Sequence, residues 1–356
     1  MGLIFEQFIS DRNLKENTAK LYRSAIRDYE NFHKTSIEDL IQEADDEEEQ
    51  RIRQKNRKIK RRLLDYRNYK IQHKTAYNTI MAYFALIKTV YRHFDIEIPN
   101  IPPAAIKKEY QETYSDIPTL EEIREVYENI SNPMYKAIIL FIISSGSALN
   151  ETSHLTIKQF ITATKEYHSE TEISKVLDQL EDKDDIVPIF EMIRIKTDYQ
   201  YYTCCSPEAV TAIIKYLRTR TDLKNSDKIF DVEKHSIFMF FNRINKKFEF
   251  GNVGHRIKFH SHALRKFNAN AIGDKDLADA IQGRKPSPVK EAYFKSNPAR
   301  IKKQYMEHLN KLTLEEIKHV TLYDDESKKL KTDIDKMKQE LNELYSIIER
   351  KGFNEK

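Results

Sequence analysis

The sequence predicts a mainly α-helical fold with one small antiparallel β-sheet. Glycine is scarce, with seven residues in a chain of 356, whereas residues with long side chains that favour helices are abundant. Apolar residues recur at helical spacing along most of the chain. The exceptions are two runs, MIRIKT and YYTCC, which alternate in polarity like the strands of a hairpin around residues 198–200. With 40% hydrophobic residues, the chain is long enough for two domains that each bury a core.

Composition and charge limit the classes of protein to which this chain could belong. The formal net charge is only +4, so a nucleic-acid surface requires clustered basic residues rather than bulk charge. The two cysteines, Cys204 and Cys205, are adjacent, which predicts a reducing compartment without a disulfide framework. The sequence shows no basic leader before a long apolar run, and no segment approaches the roughly 20 apolar residues of a membrane span. We therefore expect an intracellular, cytoplasmic protein.

Residues 1–98 predict a first helical domain. Apolar residues between Leu3 and Ile9 are spaced for a short amphipathic helix. An Asn-Thr-x-x-x-Tyr pattern begins at Asn17 and is repeated at Asn78. Each copy precedes apolar residues at helical spacing, and asparagine and threonine suit the N-cap position. We therefore expect the two copies to open two helices.

A basic run follows an acidic run in this domain. Residues 43–49 are acidic, and residues 51–62 contain eight Lys or Arg and no acid. One interpretation is a single long solvated helix whose charges pair locally, and the other is a face that contacts DNA phosphates. The candidate DNA-binding residues are Arg51, Arg53, Lys55, Arg57, Lys58, Lys60, Arg61 and Arg62.

A proline-rich linker at 99–117 separates this domain from a second one at 118–312. Thr119 and Glu122 form a capping box before a helix, and Asn132-Pro133 begins a helix that is apolar nearly all round. Residues 161–190 are acid-rich and predict a surface insertion. The tail at 313–356 repeats apolar residues at heptad positions, which favours contact between copies of the chain over packing back onto the domain. These positions are Leu330, Ile334, Met337, Leu341, Leu344 and Ile348.

The stretch 259–294 carries the chemistry. His262 and Arg265 are three residues apart in a helical run, so both side chains emerge on one face. Arg284 follows in a Gly-Arg-Lys-Pro turn, and Tyr293 comes nine residues later. A histidine, two arginines and a tyrosine in this order suit the attack of a tyrosine hydroxyl on a phosphodiester.

This pattern resembles the catalytic half of tyrosine recombinases, the phage-integrase family, and residues 1–98 resemble their DNA-clasping domain. The resemblance spans about residues 1–310, and the low-glycine, lysine- and isoleucine-rich style is similar to archaeal integrases of mobile elements. It implies that Tyr293 is the nucleophile and that Arg265 holds the non-bridging phosphate oxygens. His262 would act in proton transfer, and Lys196, near the hairpin turn, would protonate the leaving oxygen. Two further residues complete the implied site, Arg284 as a phosphate donor and Glu151 as an orienting group.

The chain departs from the family at the first arginine. The family places an arginine between a Gly like Gly146 and a Glu like Glu151, where this chain has no arginine. Leu149 or Ala148 takes its place, and Leu149 is favoured. Removing one preorganised donor costs roughly 2.7–4 kcal/mol of transition-state stabilisation. Either the protein is impaired, or another residue such as Arg284 compensates, or the arginine was replaced deliberately to trap a DNA complex.

The resemblance implies a site-specific recombinase that cuts and rejoins double-stranded DNA through a 3′-phosphotyrosyl intermediate, as a homo-oligomer, with a tetramer on DNA. No cofactor is implied, and three nearby histidines without cysteine or carboxylate partners do not predict a zinc site. Two alternatives stay open, a non-catalytic DNA-binding relative and a type IB-like topoisomerase.

Overall fold

The computed structural model describes residues 3–104, 110, 113–285, 297–315 and 337. The chain divides into two compact units, Met1–Gln111 and Glu112–Lys356. Helices dominate both units, and the strands form two small antiparallel pairs. The predicted fold class is therefore confirmed. None of the described helices is long and apolar enough to cross a bilayer.

The first unit contains five described helices around an aromatic core. Their bounds are α1 Leu3–Asp11, α2 Glu16–His33, α3 Ile37–Glu49, α4 Lys58–Gln72 and α5 Tyr77–His93. The core is built on Phe5, Phe8, Tyr29, Tyr66 and Tyr91, which are all at most 1% exposed. Edge-to-face ring contacts join Tyr29 to Tyr66 and Phe8 to Tyr22, the geometry that aromatic quadrupoles favour.

The repeated Asn-Thr pattern does not cap its helices as predicted. Helix α2 begins at Glu16 after Lys15, and α5 begins at Tyr77 after Ala76, and neither of these N-cap residues donates or accepts a side-chain cap hydrogen bond. Asn17 and Asn78 therefore lie inside the first turn, because each helix starts two residues earlier than it would with the asparagine as its N-cap.

The acidic and basic runs do not form one long helix, so this interpretation is wrong. Helix α3 ends at Glu49, a turn intervenes, and α4 begins at Lys58. The two runs face each other across this turn. Arg62 donates to both carboxylate oxygens of Glu43, and the Glu47 carboxylate accepts from the backbone N–H of Lys58. Charge pairing between the runs stabilises the turn in place of pairing along one helix.

The second unit packs helices around one helix that is buried over most of its length. The described helices of this unit are α6 Leu120–Glu128, α7 Pro133–Ser145, α8 Leu149–Thr152, α9 Ile157–Ala163, α10 Ile173–Leu180, α11 Pro207–Leu217, α12 Lys234–Lys247, α13 Ser261–Ile272, α14 Lys275–Ile281 and α15 Pro298–His308. The predicted capping box of Thr119 and Glu122 begins α6, and Asn132 caps α7. Every residue of α7 from Ala137 to Ser145 is buried, and α11 and α13 pack against it.

The hairpin consists of β1 Ile189–Arg194 and β2 Tyr199–Cys204, paired antiparallel. The predicted hairpin is present, but its turn lies at 195–198 rather than at 198–200. Both Thr197 and Asp198 donate their backbone N–H to the Arg194 carbonyl, and Asp198 has a φ of 53°. This geometry closes the turn before Tyr199, so Tyr199 lies opposite Arg194 in the antiparallel strand register. A second pair, β3 Asn252–Val253 and β4 Arg256–Ile257, was not predicted.

The segment 161–190 is not simply a surface insertion. Its helix α10 buries Ile173, Val176, Leu177 and Leu180 in the main core of the second unit. Because these residues recur at helical spacing, the acidic residues between them face solvent while the helix itself belongs to the core.

Candidate active site

The site forms where α7 ends. Gly146 terminates α7 in the left-handed conformation, with a φ of 64°. A Cβ at this position would lie 2.9 Å from Cγ of both Asn268 and Gln282, so the close approach requires glycine. The Asn268 amide donates to the carbonyls of Ile143 and Ser144, which the end of a helix leaves without helical partners. Helix α13 is thereby fixed against the end of α7.

Arg265, on α13, is the buried centre of the site. It is 3% exposed, and its two terminal nitrogens donate to the carbonyls of Gly146 and Gln282 at 2.6 Å each. Burial, followed by the charge of Arg194, lowers the pKa of Arg265 to about 10. The guanidinium therefore stays charged at neutral pH and is held in one orientation by two separate segments of the chain.

Gln282 joins the elements around Arg265. Its buried side-chain amide donates to the Arg265 carbonyl and to the side-chain carbonyl of Asn268, both at 3.0 Å. Its own backbone carbonyl accepts from Arg265. The next residue, Gly283, has a φ of 61° and lies so close to the Tyr201 ring that a Cβ would meet ring atoms at 2.6 Å. The Gln-Gly turn after α14 is therefore closely packed against both α13 and the hairpin.

Arg194 is a site residue that the sequence analysis missed. It lies at the end of β1, on the inward face with Phe190 and Met192, and is half-buried. Its terminal nitrogen donates to the Gln282 carbonyl at 3.1 Å, the same carbonyl that Arg265 contacts. The strand alternation, which places Arg194 two residues after the buried Met192, is the signal that could have identified it.

Glu151 and Tyr201 complete the buried part of the site. Glu151 is 4% exposed, and neither its Oε2 nor the Tyr201 hydroxyl has a hydrogen-bond partner among the described residues. Burial, followed by the charge of Glu151, raises the pKa of Tyr201 to about 12. Tyr201 is thus a poor candidate for a nucleophilic phenolate, although its ring lies against Gly283 beside this cluster.

Three predicted residues lie at the margin rather than in the buried cluster. His262 is exposed at the start of α13, and partial desolvation of its ring, then Lys266 and other nearby cations, lower its pKa to about 4. Lys196 is exposed in the hairpin turn and forms no ion pair with any described carboxylate. Arg284 has a half-exposed side chain that forms an ion pair with Asp279 at 2.8 Å.

The candidates for the missing arginine differ in environment. The Leu149 side chain packs against the hydrophobic core of the second unit. Ala148 is the N-cap of α8 and is partly exposed. An arginine at 148 would leave this core undisturbed, whereas one at 149 would have to displace its long side chain from the core.

Some predicted features lie outside the described residues. Tyr293 is one of them, as are five of the six heptad positions, and the sixth, Met337, is exposed. No group of three or more His, Cys, Asp or Glu in the described ranges is arranged to hold a metal ion. Both cysteines are free and buried.

The basic run of the first unit divides into two groups. Arg57, Lys58 and Arg62 form ion pairs with Glu48 or Glu43, and Arg61 pairs with Asp65. The other group forms no ion pair with any carboxylate in the described part of the chain, and consists of Arg51, Arg53, Lys55 and Lys60.

Solved structures of DNA recombinases have an architecture similar to that of this chain. A fragment of the Tn1549 transposon integrase in complex with transposon right end DNA matches with a TM-score of 0.52 and 13% identity, over 86% of this chain and 98% of that one. The same integrase in complex with circular intermediate DNA matches with a TM-score of 0.51 and 12% identity, over the same shares of the two chains. The chain has the tyrosine-recombinase fold. The XerH site-specific recombinase bound to difH substrate is less similar, with a TM-score of 0.43 and 12% identity over 68% of this chain and 69% of that one.

Comparison of the sequence with known families and curated proteins found no relative of this chain. No protein-family model matches the chain, and no curated protein matches it. The likeness is therefore one of fold at low sequence identity.

Proposed function

We propose that this chain is a site-specific DNA recombinase of the integrase kind, which cuts and rejoins double-stranded DNA through a 3′-phosphotyrosyl intermediate. The observation that carries the proposal is the buried, charged Arg265, held by the Gly146 carbonyl at the end of α7 and the Gln282 carbonyl after α14, in a fold shared with a DNA-bound integrase. A guanidinium has five N–H donors, and only two are engaged in these contacts, so others are left for phosphate oxygens. Arginine suits this role because its planar fork binds phosphate in a bidentate manner.

The proposed reaction exchanges one phosphodiester for another. The Tyr293 oxygen attacks the scissile phosphorus and loses its proton, with His262 assisting in proton transfer. The bond from phosphorus to the 5′ oxygen breaks, and Lys196 gives that oxygen a proton. The product is a 3′-phosphotyrosyl link and a free 5′-hydroxyl, whose attack in reverse rejoins DNA without ATP. Lys196 suits general acid catalysis because it is exposed and has no carboxylate partner among the described residues.

In the first unit, we expect the basic residues without an ion-pair partner among the described carboxylates to contact DNA. Arg51, Arg53 and Lys55 are exposed and form no ion pair with a described carboxylate. Arg57 and Arg62, by contrast, form ion pairs with glutamates. Each lost phosphate contact reduces the slope of log affinity against log salt by about 0.9. Replacing the three exposed residues by alanine should therefore lower the slope by up to roughly 2.7. Arg218→Ala, at a site paired with Asp178 and Glu181, is the matched control.

Covalent trapping tests the proposed activity. The probe is a nicked duplex that carries the terminal junction of the element encoding the chain, and denaturing gels show any protein–DNA adduct. We expect an adduct with the wild type, none with Tyr293→Phe, and an unchanged yield with Tyr114→Phe, which alters an exposed phenol.

One observation favours a second candidate, the non-catalytic DNA-binding relative. Neither Ala148 nor Leu149 supplies the first arginine. DNA binding without an adduct from the wild type, from Ala148→Arg or from Leu149→Arg would support this candidate. An adduct only from one of the arginine variants would identify a disabled enzyme, and relaxation of any supercoiled plasmid would instead indicate the topoisomerase alternative.

Assembly and location belong to the same proposal. We expect a homo-oligomer on DNA, a tetramer by the family resemblance, with the heptads of the tail at 313–356 as one contact. A recombinase of a mobile element would act in the cytoplasm, on the nucleoid. Light scattering with and without DNA, on the full chain and on a chain ending at residue 312, would test the contribution of the tail.

A further inference from the structure

Two guanidinium groups converge on one carbonyl oxygen in the second unit. Arg265 donates to the Gln282 carbonyl at 2.6 Å, and Arg194 donates to the same oxygen at 3.1 Å. Like charges repel, and the charge of Arg194 is, after burial, the strongest influence that lowers the pKa of Arg265. The repulsion between two cations this close is relieved by an anion bound between them or by a fixed acid that offsets both charges.

No fixed acid neutralises both cations in the described part of the chain. Neither Arg194 nor Arg265 forms an ion pair with a described carboxylate. Glu151 lies near enough for its charge to act on Arg265, but one carboxylate leaves two guanidiniums with a net positive charge. The buried Tyr201 hydroxyl and Glu151 Oε2 have no described hydrogen-bond partner, so the surroundings are polar as well as positive.

Arg284 is less suited to this role. Its side chain is 47% exposed, and its terminal nitrogen is paired with Asp279, which offsets its charge. Arg194 is half-buried, free of such a partner among the described residues, and anchored beside Arg265. It also lies two residues before Lys196, so the hairpin would present a phosphate ligand and a proton donor together.

We propose that Arg194 is a catalytic residue that binds the scissile phosphate beside Arg265, in place of the arginine missing at 148 or 149. This inference rests on the proposed recombinase function. Two guanidiniums can grip the two non-bridging oxygens as charge develops on them, and preorganised donors of this kind stabilise the transition state because they need no reorganisation. The hydrogen bond to the Gln282 carbonyl fixes the position of Arg194 and uses one of its five N–H groups.

Single-turnover cleavage of the nicked duplex measures the role of Arg194. Arg194→Ala should slow adduct formation by roughly 10²–10³-fold, the usual effect of losing one preorganised donor. Arg194→Lys should recover only part of the rate, since an ammonium cannot reproduce the bidentate fork. Arg218→Ala serves as the control in the same unit, and DNA affinity and thermal unfolding establish that each variant is folded.

Two further measurements separate phosphate binding from a purely structural role. Ala148→Arg, added to Arg194→Ala, should restore cleavage if a second guanidinium is what is missing. A methylphosphonate at the scissile position removes the negative charge that the guanidinium would stabilise, so the defect of Arg194→Ala should shrink from roughly 10²–10³-fold to less than about tenfold on that DNA. An equal defect on both substrates, or an unchanged rate for Arg194→Ala, would overturn the inference.

The outcomes also distinguish this inference from the proposed function. If the wild type forms an adduct and Arg194→Ala forms it equally fast, the recombinase function stands and the role of Arg194 fails. If the wild type forms no adduct, the proposed function fails, and the catalytic role of Arg194 fails with it.

Discussion

The sharpest test of the site architecture is a pair of glycine-to-alanine substitutions. Gly146 and Gly273 both end a helix, α7 and α13, in the left-handed conformation, with φ values of 64° and 72°. Their surroundings differ. A Cβ at 146 would lie 2.9 Å from Cγ of both Asn268 and Gln282, whereas the nearest atom to a Cβ at 273 is a carbonyl oxygen 4.0 Å away. The pair therefore separates backbone strain from close packing.

The expected losses of stability follow from these distances. A left-handed conformation costs an alanine about 1–2 kcal/mol, so Gly273→Ala should lose about that much. At Gly146 the same strain is joined by overpacking of a buried site, which costs about 1–3 kcal/mol, giving roughly 2–5 kcal/mol. In a unit of this size each kcal/mol lowers the melting temperature by roughly 2–4 °C.

Thermal and urea unfolding of the two variants, followed by circular dichroism, measures the difference. Gly146→Ala should also slow DNA cleavage, because Asn268 and Gln282 position Arg265, while Gly273→Ala should cleave at the wild-type rate. Equal destabilisation by the two substitutions would refute the packing of Gly146 against Asn268 and Gln282.

Two further predictions concern the rest of the chain. Hydrogen bonding from Arg62 lowers the pKa of Glu43, so Glu43 stabilises the first unit above the ordinary carboxylate pKa, and this contribution is lost as the pH falls through the lowered value. Glu43→Gln should therefore cost about 1 kcal/mol at neutral pH and progressively less below about pH 4 in urea unfolding, and a loss independent of pH would contradict the pairing. Burial raises the pKa of the Cys204 thiol to about 12, and it also raises the pKa of the Cys205 thiol well above its ordinary value. Neither thiol should react with a thiol reagent until the protein is denatured, and rapid labelling of the native protein would show that they are accessible.

Local sequence was sufficient where the physical cause is local. The capping box of Thr119 and the Asn132-Pro133 start of a buried helix were predicted from a few neighbouring residues, and both are present. The hairpin was predicted from alternation alone, with its turn misplaced by about two residues because Asp198 adopts a positive φ. The fold class followed from the same periodicities.

Two predictions from local sequence were wrong because contacts between residues distant in the sequence decide the structure there. The runs at 43–49 and 51–62 suggested one helix because each is helical in pattern, and only the pairing of Arg62 with Glu43 across 19 residues shows why the chain turns back. The acid-rich segment around α10 was predicted to lie on the surface because it contains few apolar residues. Four of them nevertheless complete a core formed by helices that are distant in sequence.

The sequence by itself determined the helical class, the hairpin and the order of His262, Arg265 and Arg284 along the chain, because these depend on residues a few positions apart. Tertiary structure decided which charges meet. Arg265 lies beside Gly146, 119 residues away, and Arg194 reaches the Gln282 carbonyl across 88 residues. No local pattern encodes those distances, since they arise from the packing of α13 on α7 and of the hairpin on the turn after α14.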